Sequence, residues 1–158
     1  MCELWLDSKC LLCRKITITV LGNPVPQKRH RTVTRDRNGK PLPFARAYDP
    51  SRDDKRKLAL MAQSQAPAKP IAEPIELKVV AVFARPRSHY RTGRFSGILR
   101  DAAPHWHTSK PDADNLMKLI KDALNGVIWR DDSLVARESI EKVYGETPMT
   151  RVEVALCP

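Results

Sequence analysis

Ile16, Ile18 and Val20 alternate with Thr17 and Thr19, the two-residue period of a half-buried strand, and predict one from about Lys15 to Leu21. Gly22, Asn23 and Pro24 end it. The polar stretch that follows, with Gly39, Pro41 and Pro43, reads as a loop. Ser51 with Asp54 three residues on resembles a capping box and opens a helix over Arg52 to Gln65, closed by Pro67 and Pro70. From Ile75 to Ala84 nearly every residue is apolar, which predicts a central strand covered on both faces. The residues from Arg85 to Lys110 show no usable period, as in a long functional loop, and are expected to form a mobile one.

Leu116, Leu119, Ile120, Ala123, Leu124 and Val127 then recur at three- and four-residue spacing, the stripe of an amphipathic helix that Gly126 is placed to stop. Strands from about Leu134 to Tyr144 and from Arg151 to Leu156, separated by Gly145 to Met149, read as a hairpin. Together these predict one α+β domain over residues 15–158: a small mixed β-sheet of about four strands with two main helices. Residues 1–14 form an extension expected to be poorly ordered. At 158 residues the chain can bury a core without disulfides or a structural metal.

Charge narrows the partners. The net charge is +10, and two segments account for all of it: Lys28 to Lys40 and Arg85 to Lys110 each carry six basic residues and one acid. Two concentrated basic segments on a neutral body suit a polyanion, because each phosphate neutralised releases counterions. The candidate DNA contacts are Lys28, Arg29, Arg31, Arg85, Arg87, Arg91, Arg94 and Lys110, and Tyr90, Phe95 and Trp106 in the second segment suit base stacking. The plain alternative is that both runs are solvated loops. No apolar run approaches the roughly 20 residues of a membrane span, and the opening residues lack the pattern of a signal peptide, so a cytoplasmic protein is expected. Cys10 and Cys13 form a C-x-x-C pair without the four ligands of a zinc knuckle, and His105 and His107 flank Trp106 without a third ligand at recognisable spacing. Cys2, Cys10 and Cys13 read as free thiols of the extension.

Two acidic sites bracket the second helix. Asp112 and Asp114, directly after Pro111, point to the same side if the backbone is extended there and can converge on one cation. Either Asp can equally be a helix N-cap, although a cap does not require two. Beyond the helix come Asp131 and Asp132. A helix of some 11 residues separates its ends by about 16 Å, so Asp132 reaches Asp112 only if the chain folds back along a strand. Magnesium takes carboxylate oxygens, waters and a substrate phosphate, which makes phosphodiester hydrolysis the chemistry to expect. Lys118, four residues after Asp114, either makes a surface ion pair worth about 0.3–0.5 kcal/mol or stabilises charge at the phosphate.

The stretch K-P-D-A-D-N-L-M-K-L-I-K-D-A-L-N-G-V-I-W-R-D-D-S-L-V, Lys110 to Val135, closely resembles the signature region of the RusA family of Holliday junction resolvases. It carries D-x-D-N, a lysine three residues after the Asn, D-A-L, then W-x-D-D in order. The resemblance implies that Asp112, Asp114 and Asp132 bind the metal, that Lys118 is the essential lysine, and that Asn115 and Asp131 support them. It also implies a homodimer of bacterial or phage origin that uses magnesium, with manganese as a substitute, to cut branched DNA by paired symmetric nicks. A non-catalytic DNA-binding module would share the basic segments without needing four Asp around one helix. An RNA-processing or toxin-type nuclease would share the metal logic and differ in substrate.

Overall fold

In the computed structural model, which describes residues 15–157, the most apolar strand takes an inner position in the sheet. The elements in chain order are β1 (Ile16–Leu21), β2 (Arg31–Arg35), β3 (Pro41–Tyr48), α1 (Arg52–Gln63), β4 (Ile75–Ala84), α2 (Ala113–Leu124), β5 (Val135–Gly145) and β6 (Met149–Leu156). The main sheet runs β1-β6-β4-β5, with β6 antiparallel to both β1 and β4 and β5 parallel to β4. The chain is therefore α+β, with a mixed four-stranded sheet and two helices as expected. The extension over residues 1–14 lies outside the described residues.

One face of the sheet carries the core. Ile16 and Ile18 of β1, Val152 and Val154 of β6, and Ile75, Leu77 and Val79 of β4 pack with Leu58 and Ala62 of α1 and with the stripe of α2. The even positions of β4 do not share this burial: Lys78 and Ala84 are exposed and Val80 and Val82 only half-buried. The expectation of a strand covered on both faces is thus corrected. Both helices lie on one side, and the open face is dressed by ion pairs such as Lys15–Glu153 and Lys78–Glu76.

Three further expectations are overturned. The last two strands do not form a hairpin, because β4 lies between them and pairs with each. Gly145 ends β5 opposite Ala84 of β4, and a Cβ there would stand 2.5 Å from Val82 Cγ1, so a larger residue would force that side chain to shift. The stretch after β1 is not all loop: β2 and β3 pair antiparallel as a separate ribbon around the Asp36–Lys40 turn. In a two-stranded ribbon both strands are edges, so Pro41 and Pro43 are tolerated. Finally, Ser51 does not cap α1; its buried Oγ accepts from the Lys28 backbone N–H at 2.8 Å.

Candidate active site

α2 is the mount of the site. Leu116, Met117, Leu119, Ile120, Ala123 and Leu124 bury its inner side, which at roughly 1.5–3 kcal/mol per large side chain fixes the helix against the sheet. Asp112 occupies the N-cap position, yet its carboxylate makes no capping hydrogen bond. Asp114 follows in the first turn; both side chains are exposed, and the amide of Asn115 comes only to 3.5 Å of Asp114. Two carboxylates are thus held at the amino end of a rigid helix, and among the described residues that one long contact is the only hydrogen bond either accepts. Lys142 of β5 steadies the approach to them, donating to the carbonyls of Ser109 at 2.7 Å and Pro111 at 2.6 Å. Nothing in the sequence pattern signals that lysine.

Asp131 and Asp132, at the far end of α2, do different work. Asp131 accepts from the Ser133 N–H at 2.9 Å, and Ser133 lowers its pKa through its hydroxyl as well as its backbone, so this acid closes a local turn. Asp132 is half-buried and accepts from Trp129 Nε1 at 2.9 Å. Trp129 is fully buried, so the indole fixes one carboxylate oxygen to the core. Its three-residue spacing from Asp132 was the signal that could have revealed this partner.

The chain does return along a strand, but Asp132 stands at the start of that return. β5 runs back beside α2, with Lys121 bonded to Glu138 at 2.8 Å midway and Lys142 at Pro111 near the end. A 12-residue helix is about 18 Å long, which leaves Asp132 near the carboxyl end of α2 and Asp112 and Asp114 at the amino end. Among the described residues no three His, Cys, Asp or Glu side chains are gathered as metal ligands. The donor chemistry fits a hard divalent ion, since all three groups are carboxylates and Asp112 and Asp114 are exposed. Among the described residues the chain does not gather all three at one point.

A basic cleft lies beside the amino end. Gln27, Lys28, Arg29, His30, Asn115 and Lys118 line a space of about 230 Å³. The Gln27 N–H donates to the Asn115 carbonyl at 2.8 Å, docking the first basic segment onto α2. From behind, Lys28 pairs with Asp54 at 3.2 Å, and Gln27 Nε2 donates to Asp49 at 3.3 Å. Asp49 and Asp122 of α2 clamp Lys55 of α1 at 2.6 and 2.7 Å. The Lys55 hydrogen bond draws the Asp49 pKa down to about 2. Burial alone would lower the Lys55 pKa, but its bonds to Asp122 and Asp49 outweigh that and raise it. Lys118 is exposed and, among the described residues, has no ion-pair partner, so the surface pair with Asp114 is not formed.

The second basic segment divides by role. Arg85 is a strut, donating to the Pro104 carbonyl at 2.8 Å over the Tyr144 ring, and Arg91 pairs with Asp101 at 3.0 Å. Arg87 and Arg94 are exposed on one-turn 3-10 helices, Arg94 above Phe95, and Lys110 is exposed before Pro111. His107 stacks on Phe83, and burial followed by the charge of Lys142 lowers its pKa. His105 packs edge-on against Trp106, so the two histidines belong to separate aromatic contacts. Residues 105–107 are laced to the outer edge of β5 by His107 N–H to Lys142 O and Tyr144 N–H to His105 O, both 2.9 Å. No helix among the described residues is long and apolar enough to cross a membrane.

The family model described as endodeoxyribonuclease RusA matches residues 22–156. The chain is also 36% identical over 148 residues to the uncharacterized protein YqaN of Bacillus subtilis (strain 168), a match covering 89% of this chain and 94% of that protein.

Proposed function

For this chain, which belongs to the RusA endodeoxyribonuclease family, we propose a magnesium-dependent endonuclease that resolves four-way DNA junctions by symmetric paired nicks. The observation that carries the reading is the pair of exposed carboxylates, Asp112 and Asp114, at the end of a core-mounted helix beside a basic cleft. Asp112, Asp114 and Asp132 are the metal ligands in this reading. Bound magnesium supplies polarisation of the phosphoryl oxygen and activation of water. Lys118, on the cleft wall and free of any acid among the described residues, stabilises charge at the scissile phosphate. Lys28, Arg29, Arg87, Arg94 and Lys110 hold the flanking backbone, whereas Arg85 and Arg91 act mainly by shaping their loop.

The placement of the acids at opposite ends of α2 favours a homodimer in which each site is shared. In a twofold arrangement the same surface meets itself, so two α2 helices running antiparallel bring opposite ends together. Asp112 and Asp114 are then completed by the partner subunit's Asp132. Two such sites, related by the twofold, suit two strands of like polarity at a junction.

The test compares a synthetic four-way junction with a linear duplex of the same arms, each with magnesium or with EDTA. The expected result is paired nicks in the junction, with magnesium only. Binding without cutting in magnesium would make the chain a DNA-binding module, and preferential cleavage of single-stranded RNA would make it an RNA nuclease.

A further inference from the structure

The β2–β3 ribbon stands outside the core: among the described residues its strands pair only with each other, and neither belongs to the main sheet. Its register sorts the side chains by size. Arg31 pairs with Tyr48 and Val33 with Arg46, which puts these four side chains on one face; Phe44 follows two residues from Arg46, where the register shifts before Arg35 meets Pro41. The opposite face carries Thr32 paired with Ala47, together with Ala45. In the regular part of the ribbon one face therefore carries Arg31, Arg46 and Tyr48 and the other is small. Phe44 is 81% exposed and Tyr48 46%, an unusual outlay for a side chain with no polar atom. The ribbon's one acid, Asp36, is occupied, its carboxylate accepting from the N–H groups of Asn38 at 2.9 Å and Lys40 at 2.8 Å.

We infer that the ribbon receives a base unstacked at the branch point of DNA, with the exposed Phe44 as the stacking platform and Arg31 and Arg46 on the flanking phosphates; the inference rests on the branched-DNA reading above. Phenylalanine recognises a base only by its π-face, and in a continuous duplex those faces are occupied by neighbouring bases. Interrupted stacking at a branch point exposes them. Position agrees with this, because β2 begins one residue after His30, which lines the cleft beside Lys118. Phe44 is four residues along β3 from Tyr48, the partner of Arg31, so a base held there lies roughly 13 Å along the ribbon from that cleft. Charge argues against a second copy as the occupant, since the chain carries +10 and the ribbon is among its most basic parts. Phe44 is accordingly a specificity-determining residue that separates junction from duplex.

The test uses the full-length protein in EDTA, where no strand is cut, and junctions carrying 2-aminopurine either at the branch or in the middle of an arm. Wild type should raise the fluorescence of the branch probe only. Phe44→Ala should abolish that rise and weaken junction binding about 5- to 150-fold, the range for loss of one base–aromatic stack, with little change for linear duplex. Phe44→Trp should retain both properties, and Thr32→Ala, on the small face, should match wild type. Equal loss of junction and duplex affinity for Phe44→Ala, or none, overturns the inference. So does a change in sedimenting mass for Phe44→Ala, which would assign the face to a second copy. If wild type itself shows no preference for the junction, the parent reading fails before any variant is compared, and this inference falls with it.

Discussion

α2 and the β2–β3 ribbon are both offered to DNA in this account, yet they are built in opposite ways. The helix buries six residues against the sheet, carries its acids on the outer side and at its amino end, and is tied to α1 through Lys55 and to β5 through Glu138. Among the described residues the ribbon has no such backing. Chemistry requires carboxylates held within a fraction of an ångström, so it sits where packing removes freedom. Binding a deformable polyanion requires charge and reach, and a two-stranded element that settles on its ligand suffices. The difference predicts that substitutions on α2 should abolish turnover while sparing affinity, and that substitutions on the ribbon should do the reverse.

The largest effect falls on the acids. Asp112→Asn, Asp114→Asn and Asp132→Asn should each reduce cleavage by more than about 100-fold, while junction affinity stays the same or rises because negative charge near phosphate is removed. Asp131→Asn should be milder, since that acid serves a turn. Normal cutting by all four would end the metal-site assignment. Next comes Lys118→Ala, expected to slow single-turnover cleavage of prebound junctions by on the order of 100-fold with little change in affinity. Lys118→Arg should rescue only part of it, because the guanidinium keeps the charge but not its position.

A smaller effect separates packing from positioning. Trp129→Phe removes the N–H that holds Asp132 while keeping most of the buried ring, and should cost roughly 10-fold in cleavage, or in the magnesium concentration required. Unchanged magnesium dependence would show that the indole does not support the carboxylate. The smallest effect is on stability. The Asp49 pKa lies near 2 in the folded chain against 3.8 for the free side chain, so the stabilisation it lends is complete above about pH 4 and is lost as pH falls through 2. Asp49→Asn should therefore lower Tm at pH 7 by a few degrees, roughly the effect of 1 kcal/mol. Wild type and variant should converge as pH approaches 2. A gap independent of pH would mean that Asp49 acts through packing.

What was legible in the sequence divides along the same line. α2 and β4 were readable because burial on a regular element leaves a period of 3.6 or a run of apolar residues. The ribbon was not, since a strand buried on neither face leaves no such mark and Pro41, Pro43 and Gly39 imitate a loop. The false hairpin had a similar cause: β5 and β6 are neighbours in sequence, and only the competition for β4, which local pattern does not express, separates them. The acids were named from a signature and their spacing. Their distribution over two ends of α2 depends on the direction of β5, which spacing alone does not give.

That distribution makes a mixing experiment the most direct test of the shared site. Asp114→Asn and Asp132→Asn proteins, each inactive alone, are combined, allowed to exchange subunits, and given a four-way junction with magnesium. If each site draws Asp112 and Asp114 from one subunit and Asp132 from the other, one site of every mixed dimer regains all three carboxylates. The mixture should then nick one strand of the junction. If all three acids act within one subunit, both sites stay defective, and a mixture as inactive as its parents, with exchange verified by tagged subunits, would contradict the account.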